Sequence, residues 1–183
     1  KGLDTLVEAF IVIRERGLVK NLKLRVGGGL GPSDEPFVRE LRDRLKARSL
    51  DREAEFHPNL DRAGKQAFLT SLSVFSTPAS YSEAFGLYLL EAWAAGIPVV
   101  QPRHAAFPEL LEATGGGLLC EPRDPLSLAK TIEQLLLQPD QARALGETGR
   151  QAVQRDFNVE RMAEETVRAF ESLHHHTPPG ALV

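Results

Sequence analysis

The chain has 183 residues, of which 42% are hydrophobic and 26% charged, and its net charge is −3. That length supports one domain with a real core, and the charge argues against a broad basic surface for nucleic acid. The single cysteine, Cys120, excludes an internal disulfide, and no apolar run approaches the ~20 residues of a membrane span. No signal-peptide pattern is present, so the cytoplasm is the expected compartment. The chain opens on Lys1-Gly2 and enters a helical pattern at once, as expected of a piece cut from a longer protein.

Leu3, Leu6, Val7, Phe10 and Ile13 share one face of a helix over 3–16, with Asp4 suited to its first turn. "LKLRVGGG", 22–29, alternates apolar and charged residues and then breaks on glycines, which predicts a strand and its loop. Phe37, Leu41 and Leu45 predict a solvated helix over 35–48. A short strand and turn follow at 54–60, a helix at 62–72, and a strand at 73–79 stopped by Pro78. A helix over about 86–95 leads to a strand at 97–101. Beyond it come a helix at 107–113, a glycine turn and strand at 115–122, and a helix at 124–137. That helix has Asp124 as N-cap and proline at its first position. Helices over 139–155 and 158–173 close the pattern, and the tail 174–183 is expected to be mobile. Strands alternating with helices predict an α/β domain with a doubly wound parallel sheet.

In such a sheet, ligands bind outside the carboxyl ends of the strands. Gly27-x-Gly29 lacks the third glycine of a dinucleotide fingerprint, since position 32 is Pro32, and a plain flexible turn is the simpler reading. Gly64-Lys65-Gln66 lacks the Ser or Thr and the earlier glycine of a P-loop. The third loop, "SYSEAFG", runs from the strand at 73–79 into a helix and raises a sharper question. Two carboxylates, Glu83 and Glu91, bracket seven residues of an apolar run, with Gly86 at the helix start. A helix N-terminus offers unpaired N–H groups and a partial positive charge, which suits a diphosphate. Gly86 allows close approach to the backbone. With Glu83 in the preceding loop and Glu91 on the helix, both carboxylates can face one cleft, and a carboxylate near a phosphate site suits ribose hydroxyls. On spacing alone, a helix-terminal charge at Glu83 and a solvated Glu91 are the simpler reading.

"EAFGLYLLE" followed by "AWAAGIPVV" resembles the E-x7-E signature of retaining GT-B glycosyltransferases, glycosyltransferase family 4 or group 1. "KGLDTLVEAF", "LRVGGG", "SVFSTPASYSEAFG" and "FPELLEATGGGLLCEPRDPLSLAKTI" resemble further family segments in the same order, over about residues 1–170. The resemblance implies the Rossmann-like C-terminal half of a GT-B protein, over 1–157. It also implies a final helix, 158–173, that crosses to an N-terminal half lying outside this chain. The ligand it implies is a nucleotide-diphosphate sugar, UDP- or GDP-linked, with no cofactor and no metal. Carried over by position, Glu91 would bind ribose and Glu83 would lie beside the donor sugar. The amides of Phe85, Gly86 and Leu87 would touch sugar and phosphate, and Lys1 would meet the diphosphate. Leu60 would meet the base through its backbone, with Lys65 on the base side. The acceptor would belong to the absent half, through which peripheral contact with a membrane is a further implication.

The chain departs from the family where glycine is common: at Pro58, and at Ala105-Ala106 ahead of Pro108-Glu109. Those departures keep open a non-catalytic nucleotide-sugar-binding or scaffold module as the second reading, with a GT-B-like epimerase behind it. His57 and His104 read as solvated loop residues, Trp93 and Leu89–Leu90 as core, Cys120 as inert packing. Glu109 reads equally as a helix-terminal residue or a donor contact.

Overall fold

The computed structural model describes residues 1–174. Eight α-helices and four short strands follow one another along the described residues. They are α1 (Leu3–Arg16), β1 (Leu24–Gly28), α2 (Glu35–Ala47), β2 (Ala54–Pro58), α3 (Arg62–Thr70), α4 (Leu87–Ala94) and β3 (Val99–Pro102). After these come α5 (Phe107–Thr114), β4 (Gly117–Cys120), α6 (Pro125–Leu137), α7 (Pro139–Asp156) and α8 (Val159–His174). A 3-10 turn, Asp51–Glu53, enters β2. The predicted tail lies outside the described residues, apart from His174.

Every strand pairing is parallel, β1 with β2 and β3 with β4, as the alternation of strands and helices predicts. Val99 and Val100 point to opposite faces of β3, and both are fully buried, so helices cover both faces. Val99 packs with Leu89, Trp93, Phe107 and Leu110 of α4 and α5. Val100 packs with Cys120 and with Leu128, Ala129 and Ile132 of α6. A third cluster joins Val7, Phe10 and Ile11 of α1 to Leu24, Leu41 and Leu45. Because α1 also gives Ala9 and Ile13 to the α6 cluster, this one helix ties the two strand pairs together.

The predicted strand at 73–79 is the main difference. It joins the sheet at one residue, Phe75, which bridges to Val99, and the two strand pairs stay separate rather than forming one continuous sheet. Beyond Phe75 the backbone ladder is replaced by a side chain. The fully buried Gln101 amide, in the orientation its neighbours require, donates to the Thr77 carbonyl (2.9 Å) and accepts from the Thr77 N–H (3.2 Å). Pro78 then has no N–H to offer.

Trp93 is locked in place by glycines. Its indole N–H donates to the Gly116 carbonyl at 2.8 Å, and a side chain at Gly116 or Gly149 would overlap the ring. Cys120 is buried and its thiol is pushed up to about 12, chiefly by burial, so it serves as packing.

Among the described residues, nothing covers α8 in this way. Val159 is 71% exposed, Met162 65% and Phe170 62%, although they recur at helical spacing. Amide exchange should therefore be faster across α8 than across α4, where Leu89, Ala92 and Trp93 are fully buried. Equal protection of the two helices would show that the apolar stripe of α8 is covered in solution.

Candidate functional site

The site gathers at the carboxyl ends of β1, β2 and the 73–79 segment, where α1 and α4 begin. Lys1 is set there by its neighbour. Gly2 caps α1 with φ 77°, in the left-handed region, and a Cβ at that position would overlap the Pro78 carbonyl. The tip of α1 therefore abuts the loop that carries Glu83, and Lys1 Nζ lies 3.5 Å from Glu83 Oε2.

α4 starts at Leu87 because Gly86, at φ 86°, turns the chain into it. Among the described residues, the N–H groups of Phe85, Gly86 and Leu87 have no acceptor. They are the unpaired donors of a helix N-terminus. The side chains behave differently: Leu87 is 68% exposed, and Phe85 turns towards Phe157, with ring centroids 6.4 Å apart.

Glu91 lies one turn into α4 and pairs with Lys65 of α3 at 2.5 Å. Lys65 is aimed by the start of α3, where the Asp61 carboxylate accepts from Gly64 N–H at 2.7 Å. Lys1, Leu60, Lys65 and Glu91 all line one cleft of about 1210 Å³. It opens beside the glycine loop and runs inward between β1 and residues 73–78. Glu83, Phe85, Gly86 and Leu87 do not line it; Glu83 adjoins it through Lys1 and Tyr88.

The glycine loop is clamped from β2. Asn59 holds a left-handed backbone (φ 55°), and its amide both accepts from Leu30 N–H (2.9 Å) and donates to the Leu30 carbonyl (3.1 Å). A Cβ at Gly27 would come within 3.0 Å of the Phe68 ring, which accounts for its lack of a side chain. Nothing lies within 4 Å of a Cβ at Gly28 or Gly29, and neither takes a positive φ. Packing and backbone conformation thus give no reason for glycine at these two positions.

Two tyrosines that the sequence reading passed over complete the Glu83 environment. Both hydroxyls donate to Glu83 Oε2, Tyr81 at 3.2 Å and Tyr88 at 3.1 Å. Burial pushes the Glu83 carboxyl up, but Tyr88, Tyr81 and Lys1 outweigh it, and the carboxyl ends below its ordinary value of 4.5. Burial pulls the Lys1 ammonium down, and Tyr81 and Glu83 reverse that into a net rise. Both groups are therefore charged at neutral pH. The available signal was spacing: tyrosines two and five residues after or before an acidic loop residue can fold back onto it, as here at positions −2 and +5.

His57 corrects the solvated reading, for it is half-buried edge-on to Phe68, 5.6 Å between centroids, and lies 3.3 Å from Arg25. His104 is also half-buried, and Glu109 stands exposed in the first turn of α5. Ala105 sits at φ 51°, a left-handed position that glycine occupies without strain. Ala105→Gly should therefore raise stability by up to about 1 kcal/mol, read as a higher urea midpoint at unchanged slope. No group of three or more His, Cys, Asp or Glu among the described residues is placed to hold a metal ion. No helix among them is long and apolar enough to cross a membrane.

The chain is 35% identical over 105 residues to N-acetyl-alpha-D-glucosaminyl L-malate synthase of Bacillus anthracis, covering 56% of this chain and 28% of that protein. It superposes on HepE of Anabaena, crystallised with UDP and glucose, with a TM-score of 0.80 at 20% identity, covering 94% of this chain and 45% of the other. It superposes on the C-terminal domain of a group 1 glycosyl transferase, LpcC of Francisella tularensis, with a TM-score of 0.77 at 24% identity, covering 87% and 80% of the two chains. The chain spans less than half the length of the first two. The family described as "Glycosyl transferases group 1" matches residues 1–152, and this chain belongs to it, as a glycosyltransferase domain of GT-B fold.

Proposed function

We propose that this domain holds the nucleotide-sugar donor of a retaining glycosyltransferase, with UDP or GDP as the nucleotide. The observation that carries the reading is convergence: two cations, two carboxylates and three unpaired amides meet at one edge of the fold. Lys1 and the amides of Phe85, Gly86 and Leu87 receive the diphosphate. Glu91 gives up Lys65 for the ribose hydroxyls. The base lies by Leu60, with Lys65 beside it, and Gly28 and Gly29 leave room for the ligand at the backbone.

Transfer breaks the anomeric C–O bond, and negative charge grows on the departing diphosphate. Lys1 and the start of α4 face that charge and favour it in the transition state. The acceptor attacks from the face the diphosphate leaves, so Glu83 orients the sugar and shapes the field rather than bonding to carbon. The acceptor belongs to another domain, to which α8 presents its bare stripe. The cytoplasm is the compartment this reading assigns. Ala105 keeps the backbone that a glycine would take, which favours a working donor loop over a scaffold.

A thermal-shift screen of UDP- and GDP-linked sugars against the protein tests the reading. A rise in melting temperature with one nucleotide series, and none with NAD, is expected. No rise with either series would contradict it.

A further inference from the structure

We propose that Tyr88 is a positioning residue for Glu83, and that its hydroxyl, with that of Tyr81, leaves Lys1 able to quit the carboxylate for an anionic ligand. The second part rests on the donor-site reading above; the first part stands without it.

The Glu83 side chain is only 17% exposed, so its charge needs partners. Among the described residues, three groups face it: Lys1, Tyr81 and Tyr88. With Lys1 alone, a largely buried carboxylate would bind that lysine tightly. Instead the two phenols supply hydrogen bonds at 3.2 and 3.1 Å, and Lys1 stays back at 3.5 Å. That is longer than the about 2.7–2.9 Å of a close charge-assisted bond.

Tyr88 acts twice. Its hydroxyl holds Glu83, and its ring lies under Lys1 Nζ, 4.9 Å from the centroid, which offers the ammonium a second attraction. Tyr88 also has the fixed place of the two tyrosines. It stands in the first turn of α4, half-buried, its ring 6.3 Å from that of Phe75, whereas Tyr81 is on an exposed loop. Burial and the Glu83 charge push the Tyr88 phenol upward, so it remains a donor through the neutral range. A diphosphate arriving at α4 can then draw Lys1 away while Glu83 keeps two partners.

The test is a carbon-detected NMR titration of the Glu83 carboxyl without ligand, alongside calorimetry with UDP, GDP and pyrophosphate. Tyr88→Phe keeps the ring and removes the hydroxyl. It should move the Glu83 midpoint upward by roughly half to one pH unit, the size of one lost hydrogen bond. It should also weaken UDP or GDP binding about three- to tenfold, because Glu83 then retains Lys1. A merely structural role would lower stability and leave the midpoint where it was, and that result overturns the positioning role. A raised midpoint with unchanged nucleotide affinity overturns the release of Lys1. If the wild-type protein binds none of the three probes, the donor-site reading and the release fail together, while the midpoint still decides the positioning role. Should Tyr88→Phe not fold, Tyr81→Phe, in the exposed loop, puts the same question to the same carboxylate, with a rise expected and a static midpoint against it.

Discussion

Gly2→Ala should destabilise the domain by on the order of 3 kcal/mol, combining a left-handed backbone cost of ~1–2 kcal/mol with an overpacking cost of ~1–3 kcal/mol. Gly2 has φ 77°, and its missing side chain faces the Pro78 carbonyl, a backbone group that cannot swing aside. Gly17 is the matched control. It closes α1 at φ 67° with nothing within 4 Å of a Cβ, so Gly17→Ala meets the conformational cost alone, ~1–2 kcal/mol. Urea unfolding of both variants should show midpoints that fall by unequal amounts at unchanged slope. Equal losses would mean that the contact between the tip of α1 and Pro78 is absent in solution. The matter reaches the site, because the same contact brings Lys1 to Glu83.

Glu91→Ala should weaken nucleotide binding by ~1.5–3 kcal/mol, roughly 10- to 150-fold, the range for a lost hydrogen bond to a charged group. The effect on stability should be small. The Glu91 and Lys65 side chains are 43% and 49% exposed, and such a pair contributes less than ~1 kcal/mol. Affinity and stability should therefore separate in this variant, as they would not if Glu91 were a packing residue. Calorimetry with UDP and GDP measures the first and urea unfolding the second. Unchanged affinity would assign Glu91 to the solvated helix face.

Helices were the legible part of this fold. Their apolar spacing and caps lie within the segments they shape; Asp124 accepts from Leu126 and Ser127 N–H groups at 2.9 and 3.0 Å, as its place before Pro125 predicts. The 73–79 segment was misread because its pairing is not local. Thr77 is held by the side chain of Gln101, and the only sequence trace is a lone amide in the apolar run Pro98–Pro102. Gly86 was read as room for a ligand, yet the chain also needs it for a positive φ, so a bulky residue there would strain the start of α4 as well as crowd it. The spacing of Glu83 and Glu91 pointed to a site only through resemblance to a family. The tyrosines on Glu83 were hidden for a different reason: their spacing permits the contact, but only the folded path of the loop brings both hydroxyls to Glu83.

Amide chemical-shift mapping with UDP and GDP decides whether one edge of this domain receives a nucleoside diphosphate. Saturable shifts are expected at Gly28, Gly29, Phe85, Gly86, Leu87 and Glu91, with little change along α6 and α7. Shifts centred on α6 or α7, or none with either nucleotide at millimolar concentration, would contradict it.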